Sequence, residues 1–237
     1  MSLVGMTMPM TRVFDNRVEA GRALAQSLLD YRGATDAIVL ALPRGGVPVG
    51  FEVAQALGLP LDVLVVRKLG LPGQPELAMG AIATGGALVL NEEVLRFADG
   101  REAALEQVRR REQVELERRE KQYRGGRPPL QVAGHTGILV DDGLATGATM
   151  EVAVRALRGL GATRVVVAVP VASVEARDRI AEVADEVVCL ETPVFFSAVG
   201  QWYRDFGQTS DAEVSELLAE TSRNSGADTS GPYAKTP

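Results

Sequence analysis

The stretch ILVDDGLATGATM, residues 138–150, is the most informative part of the sequence. Its apolar start predicts a buried β-strand, and Asp141 and Asp142 follow where that strand ends. The small residues after them form a loop that opens into a helix, and backbone N–H groups at a helix N-terminus attract anions. Thr146 and Thr149 add hydroxyl donors. This unit predicts a sugar-phosphate site, with phosphate in the loop and sugar hydroxyls, or a hydrated magnesium ion, on the carboxylates.

Two other phosphate-binding patterns are absent from this stretch. The P-loop requires a Lys before its Ser or Thr, and the dinucleotide pattern GxGxxG is also missing. A simpler alternative is that Asp142 caps a turn and that the Gly and Thr residues belong to an ordinary loop. We favour the sugar-phosphate site because thirteen consecutive residues fit one pattern.

Strands and helices alternate along the rest of the chain. Apolar runs predict strands at 37–42, 61–66, 137–142, 164–171 and 186–190. Helices are predicted at 15–31, 47–57, 148–160, 173–183 and 210–220. A mobile loop is predicted at 69–75, and two strands around a turn at 79–90. The alternation is typical of an α/β fold with a mostly parallel sheet and helices on both faces. Ligands bind such folds at the carboxyl ends of the strands, and the loops there are 43–46, 67–78, 141–149 and 191–203.

Residues 101–124 differ from the rest because fourteen of the twenty-four are charged. Glu106 and Arg110, like Glu115 and Arg119, are spaced four residues apart, which favours ion pairs on a helix. We interpret the segment as a long solvated helix inserted across the domain. A surface for a partner is the alternative.

Composition excludes several chemistries. The 237 residues include one His and one Cys, so two-histidine metal sites, four-cysteine zinc sites and disulfide scaffolds cannot be built. The net charge of −6 argues against general nucleic-acid binding. No apolar run approaches the ~18–20 residues that span a bilayer, and the unpaired Cys189 suggests a cytoplasmic location.

His135 is interpreted as a surface turn residue. Disorder is expected at residues 1–10 and 221–237, which leaves one domain over 11–220.

The 138–150 stretch resembles the 5-phosphoribosyl-1-pyrophosphate (PRPP) signature of the type I phosphoribosyltransferases. The order and spacing of elements from Thr11 to Glu220 are similar to a bacterial group of that family. The resemblance implies that Asp141 and Asp142 hold the ribose hydroxyls. It assigns the 5-phosphate to one loop, made of Ala145, Thr146, Gly147, Ala148 and Thr149.

The resemblance also implies a pyrophosphate site. Arg44, Gly45 and Gly46 follow the first strand and would bind pyrophosphate, with a cis peptide between Pro43 and Arg44. Arg67 and Lys68 would add contacts, and residues 69–78 would close over the site. Asp141, Asp142, Arg44 and Lys68 would be the catalytic residues. Magnesium would arrive with PRPP, near the two aspartates, instead of sitting in a protein cage.

The acceptor is the part that the sequence leaves open. Relatives cover it with a hood, which residues 11–31 and 191–208 would form here. Five of eleven aromatic residues lie in 195–206, and Trp202 or Tyr203 would stack on an acceptor base. A homodimer is what the resemblance suggests.

Three functions are compatible with these residues. The first is transfer of the 5-phosphoribosyl group from PRPP to a nitrogenous acceptor, such as a nucleobase, with release of pyrophosphate. The second is a PRPP-binding regulator without turnover, linked to RNA through the basic run Arg109-Arg110-Arg111. The third is PRPP hydrolysis or nucleotide phosphorolysis.

Overall fold

The computed structural model describes residues 12–96 and 101–225. The disorder predicted for residues 1–10 lies outside the described residues. Of the predicted C-terminal tail, residues 221–225 belong instead to the last helix, because the polar residues after Glu220 still extend an α-helix.

Five parallel strands form the main sheet. These strands are β1 (Ala37–Ala41), β2 (Leu61–Val63), β6 (Thr136–Val140), β7 (Arg164–Val171) and β8 (Glu186–Glu191). Their order in the sheet is β2-β1-β6-β7-β8. The helices are α1 (Arg17–Gln26), α2 (Gly46–Leu57), α3 (Glu92–Arg96), α4 (Arg101–Arg124), α5 (Ala148–Gly159), α6 (Val174–Ala181) and α7 (Asp211–Ser225). The predicted α/β fold with a mostly parallel sheet is confirmed.

Both faces of the sheet are covered by helices, as predicted. Val39 and Ile138 face one core, which includes residues of α1, α2 and α7. Their neighbours Ile38 and Leu139 face a second core, which includes residues of α5 and α6. Side chains of a strand alternate between the two faces, so a strand buried on both faces is apolar throughout, and this explains the continuous apolar runs.

The predicted strand at 61–66 is wrong in its bounds, because Val66 already belongs to a second, antiparallel sheet. β2 ends at Val63, and the chain enters β3 (Val66–Leu71). β3 pairs with β4 (Gln74–Ala83), and β4 pairs in turn with β5 (Ala87–Leu90). Leu64 and Val65, between the two strands, are both buried. Because no change in polarity marks the break, the sequence reads as one continuous strand.

The mobile loop predicted at 69–75 is also corrected, since most of it forms the β3–β4 hairpin. Gly73 has a φ of 81° at the turn, a conformation that suits glycine. The register is irregular around Gly70. The two strands predicted at 79–90 are present, as the end of β4 and as β5.

The charged helix α4 forms as predicted and is attached at its C-terminal end. Asp62 is fully buried in β2 and accepts two hydrogen bonds from Arg124, at 2.9 and 3.0 Å. Arg127 lies 3.8 Å from the same carboxylate. The other face of α4 carries the predicted pairs, including Glu106 with Arg110, so the helix is both anchored and solvated.

Candidate active site

Two loops meet at the carboxyl ends of β1 and β6, which are adjacent in the sheet. β6 delivers Asp141 and Asp142, and β1 delivers the segment from Arg44 to Gly46. The peptide between Pro43 and Arg44 is cis, as predicted. Neighbouring parallel strands end at the same edge, so residues far apart in the sequence become neighbours here.

The contact between these loops is close enough to require glycine. A Cβ atom placed on Gly45 would lie 2.0 Å from Oδ2 of Asp142. One placed on Gly46 would lie 2.6 Å from the carbonyl oxygen of Val140 and 2.9 Å from Cα of Asp141. Both glycines are therefore needed for the approach of the loop to the carboxylates.

The two carboxylates lie in a largely buried environment. Burial raises the pKa of Asp141 well above its usual range, and the neighbouring Asp142 charge raises it further. Oδ1 of Asp141 accepts a hydrogen bond of 2.8 Å from the Asp142 backbone N–H. Burial also raises the pKa of Asp142, and the Arg17 guanidinium opposes that rise. The two carboxyl groups thus lie side by side next to the Arg44 loop, and Asp142 is paired with Arg17.

Arg17 is a residue of the candidate site that the sequence did not indicate. Its Nε lies 2.8 Å from Oδ2 of Asp142, although 125 positions separate the two residues. Only the general assignment of residues 11–31 to a hood pointed toward this region. An arginine at the start of a helix gives no sequence signal for a partner so distant.

The predicted phosphate loop leads into α5. Gly147 has a φ of 72° and precedes the helix directly. Ser173 donates a hydrogen bond of 2.8 Å to the carbonyl of Ala145, and Arg179 donates one of 3.3 Å to that of Thr146. In a trans peptide the N–H points opposite to the preceding carbonyl. The N–H groups of Thr146 and Gly147 therefore point away from Ser173 and Arg179.

Arg44 is held loosely. Its Nη1 lies 3.8 Å from Oδ1 of Asp211, at the start of α7. The Tyr123 hydroxyl donates a hydrogen bond of 2.6 Å to the same oxygen, and burial together with this bond raises the pKa of Tyr123 to about 12. The long ion-pair distance leaves the Arg44 guanidinium available to a stronger anion.

Arg67 and Lys68 do not lie where the sequence reasoning expected them. They belong to β3, the first strand of the hairpin, and line a cleft of about 590 Å³ between the hairpin and α4. Arg67 donates to Glu112 of α4, with Nε at 3.0 Å from Oε2. No described residue of 43–46 or 141–149 lines this cleft. Contacts of Arg67 and Lys68 with pyrophosphate stay a prediction.

The segments predicted as a hood lie side by side. Phe14 and Tyr203 form a parallel β-bridge, and Phe14 N–H donates to the Trp202 carbonyl at 2.8 Å. The Tyr203 hydroxyl donates a hydrogen bond of 2.6 Å to the Asp142 carbonyl. Its ring packs against Phe14 and Phe206, with centroids 5.7 and 5.0 Å apart. Tyr203 is thus a buried residue that supports Asp142, and its stacking on an acceptor base stays a prediction.

Trp202 keeps a partly exposed position. Its ring stacks on Phe196 with centroids 6.5 Å apart. Its indole nitrogen is buried and has no hydrogen-bond partner among the residues that the structure describes. An acceptor contact through Trp202 stays a prediction.

The remaining candidates lie away from the acidic pair. His135 is near the start of β6, at the opposite end of the strand from Asp141, and its Nδ1 lies 2.9 Å from the Ala133 carbonyl. In the basic run on α4, Arg109 and Arg110 share one carboxylate, that of Glu106. Arg111 shares Glu112 with Arg67, so the two carboxylates offset only part of the positive charge of the run.

The comparisons with known proteins agree with this geometry. Residues 11–204 match the family model described as phosphoribosyl transferase domain. The chain therefore belongs to the phosphoribosyl transferase domain family. Its parallel sheet with helices on both faces is the architecture that the resemblance to type I phosphoribosyltransferases implied.

Particular relatives are close in sequence. The chain is 51 % identical over 213 residues to a protein named "Putative phosphoribosyl transferase" in two strains of Mycobacterium tuberculosis, CDC 1551 / Oshkosh and H37Rv. The match covers 90 % of this chain and 48 % of each relative, so the chain spans about half their length. The crystal structure of TT1426 from Thermus thermophilus is 48 % identical, with a TM-score of 0.78, and the match covers 88 % of this chain and 98 % of that one.

The helices of the described part of the chain are not of the membrane-spanning kind. Within residues 12–96 and 101–225, no helix is both long enough and apolar enough to cross a bilayer.

Proposed function

We propose that the protein transfers the 5-phosphoribosyl group from PRPP to a nitrogenous acceptor and releases pyrophosphate. The observation that carries this proposal is the contact of the Arg44–Gly46 loop with the acidic pair, next to an anion-binding helix N-terminus. The 5-phosphate, the ribose and the pyrophosphate of PRPP would find three matching surfaces at one sheet edge. The acceptor as a nucleobase, and a place in nucleotide metabolism, are part of the same proposal.

Each part of the site binds or stabilises a different part of PRPP. The loop 145–149, through the N–H groups of Thr146 and Gly147, binds the 5-phosphate. Asp141 and Asp142 bind the ribose hydroxyls. Loss of pyrophosphate builds positive charge on the ribose, which the nearby carboxylates stabilise electrostatically. Arg44 stabilises the negative charge of the leaving group. The site thus works by positioning and by fixed charges.

Magnesium fits this site only together with the substrate. No group of three or more His, Cys, Asp or Glu side chains is placed to hold a metal ion within the described ranges. Magnesium keeps several waters and is commonly bound by one or two carboxylates plus substrate phosphates, and Asp141 and Asp142 meet that requirement. When bound, magnesium would neutralise charge on the pyrophosphate.

Contacts of Arg67 and Lys68 with pyrophosphate are proposed as a later step. We propose that the β3–β4 hairpin moves from α4 toward Arg44, which would break the bond between Arg67 and Glu112. Lys68 would then approach the leaving group. The homodimer and the cytoplasmic location stay predictions.

The test is release of pyrophosphate from PRPP and magnesium in the presence of a panel of purine and pyrimidine bases. We expect release with at least one base, and a loss of at least about 100-fold for Asp142→Asn, which removes a charge-assisted contact to the ribose. Asp178→Asn is the matched control because Asp178 is exposed on α6 and pairs with Arg177. Failure with every base would contradict the transferase.

The same assay separates the alternatives. Tight PRPP binding with no turnover would indicate the regulator. Pyrophosphate release without any base would indicate hydrolysis.

A further inference from the structure

Arg17 occupies a position that is unfavourable for a cation. It is the first residue of α1, where the positive end of the helix dipole repels a cation. Its side chain is only 12 % exposed, and arginine is seldom buried unless it is paired. A helix start and burial both disfavour this residue, so its contacts must supply a compensating reason.

Those contacts join three separate parts of the chain. Nε and Nη2 both lie 2.8 Å from Oδ2 of Asp142. Nη1 donates a hydrogen bond of 2.7 Å to the carbonyl of Gly207. The guanidinium carbon lies 3.9 Å from the centre of the Phe206 ring, within the range of a cation–π contact. A planar fork can make these contacts together, whereas a lysine ammonium cannot.

A second arginine of the same helix provides a comparison. Arg22 bonds to Glu52 at the same distance, 2.8 Å, but 70 % of its side chain is exposed. It is an ordinary ion pair at the edge of α1. The difference lies in what Arg17 holds, because Asp142 belongs to the proposed ribose site and both contacts fall on one of its oxygens.

We propose that Arg17 is a positioning residue of the transfer site. It holds Asp142 by Oδ2, ties it to segment 206–207, and so presents Oδ1 to a ribose hydroxyl of PRPP. This inference rests on the proposed function. Arg17 itself touches no substrate in this account, and it acts through the carboxylate that does.

The test compares Arg17→Ala with Arg22→Ala as the matched control. PRPP binding in the presence of magnesium is measured by calorimetry, with wild type first. We expect Arg17→Ala to bind PRPP about 30-fold or more weakly, since breaking a buried charge pair leaves the carboxylate unfixed. Guanidinium chloride at low, non-denaturing concentration should restore part of the affinity, and sodium chloride at equal ionic strength should not. Arg17→Lys should restore little.

A merely structural role would not produce rescue by guanidinium. Arg17→Ala binding PRPP as wild type does would overturn the proposal. Tighter binding would also overturn it, because Arg17 would then compete with ribose for Asp142. Absence of PRPP binding by wild type would instead contradict the proposed function.

A measurement without PRPP tests separately whether Arg17 ties segment 206–207 to α1. The amides of Arg204 and Asp205 donate to the carbonyls of Phe14 and Asp15, both at 2.9 Å. Hydrogen exchange of these amides should be faster in Arg17→Ala and unchanged in Arg22→Ala. Equal exchange in both variants would overturn the inference that Arg17 holds segment 206–207 in place. This result does not depend on whether the chain binds PRPP.

Discussion

Substitution of Gly45 by alanine tests the distance between the Arg44 loop and the acidic pair. Gly45 has φ −60° and ψ −32°, a right-handed helical conformation that alanine adopts without strain. The effect of the substitution is therefore steric. The new Cβ would lie 2.0 Å from Oδ2 and 2.7 Å from Cγ of Asp142, whereas non-bonded heavy atoms sit about 3.5 Å apart. Asp142 or the loop must retreat by about 1.5 Å.

A displacement of that size has two measurable consequences. Overpacking of this kind lowers the free energy of unfolding by about 1–3 kcal/mol. Loss of charge-assisted hydrogen bonds from Asp142 to ribose costs about 1.5–3 kcal/mol of binding, or about 10- to 100-fold in PRPP affinity. Thermal unfolding and calorimetry with PRPP and magnesium measure the two quantities.

The control for this variant is Gly159→Ala. Gly159 is the last residue of α5, and a Cβ atom there meets nothing within 4 Å. Its substitution should leave PRPP affinity unchanged and stabilise the helix by up to about 1 kcal/mol. Gly45→Ala with the affinity and stability of wild type would refute the close contact of the two loops.

Two further variants separate stability from function. Burial and the Asp142 charge raise the pKa of Asp141, so its stabilising contribution is complete at low pH and is lost as the pH rises from about 4 through the raised pKa. Asp141→Asn should thus raise the unfolding temperature at pH 7 in EDTA while abolishing PRPP binding, and a lower unfolding temperature would contradict this. Asp62→Ala should lower the free energy of unfolding by about 3–5 kcal/mol, because Arg124 stays buried without its carboxylate. Glu115→Ala, on the solvated face of α4, should change it far less, and equal losses in denaturant unfolding would refute the anchoring of α4 through Asp62.

The regular elements and the acidic pair could be predicted because their signals are local. The strand at 164–171 has the predicted bounds, since a doubly buried parallel strand is apolar from end to end. The stretch 138–150 carries its strand, its carboxylates and its helix start within one continuous segment. Local sequence was also sufficient for the helix at 101–124, which has the predicted bounds.

The features that could not be predicted depend on residues far apart in the chain. Arg17 meets Asp142 only when α1 packs beside the end of β6. The break between β2 and β3 carries no polarity change because Leu64 and Val65 are buried. The position of Arg67 depends on Glu112, a residue of a helix that sequence reasoning treated as separate. Tyr203 is buried and its hydroxyl donates to the Asp142 carbonyl. The aromatic cluster in the sequence does not indicate that contact.

We propose that the phosphate loop, the acidic pair and the Arg44 loop form one site for PRPP. Calorimetry with PRPP, ribose 5-phosphate and pyrophosphate, each with magnesium, tests it most directly. We expect one PRPP per chain, weaker binding of each fragment because it contacts only part of the site, and loss of PRPP binding in Asp142→Asn. No binding of PRPP, or equal binding by wild type and Asp142→Asn, would contradict it.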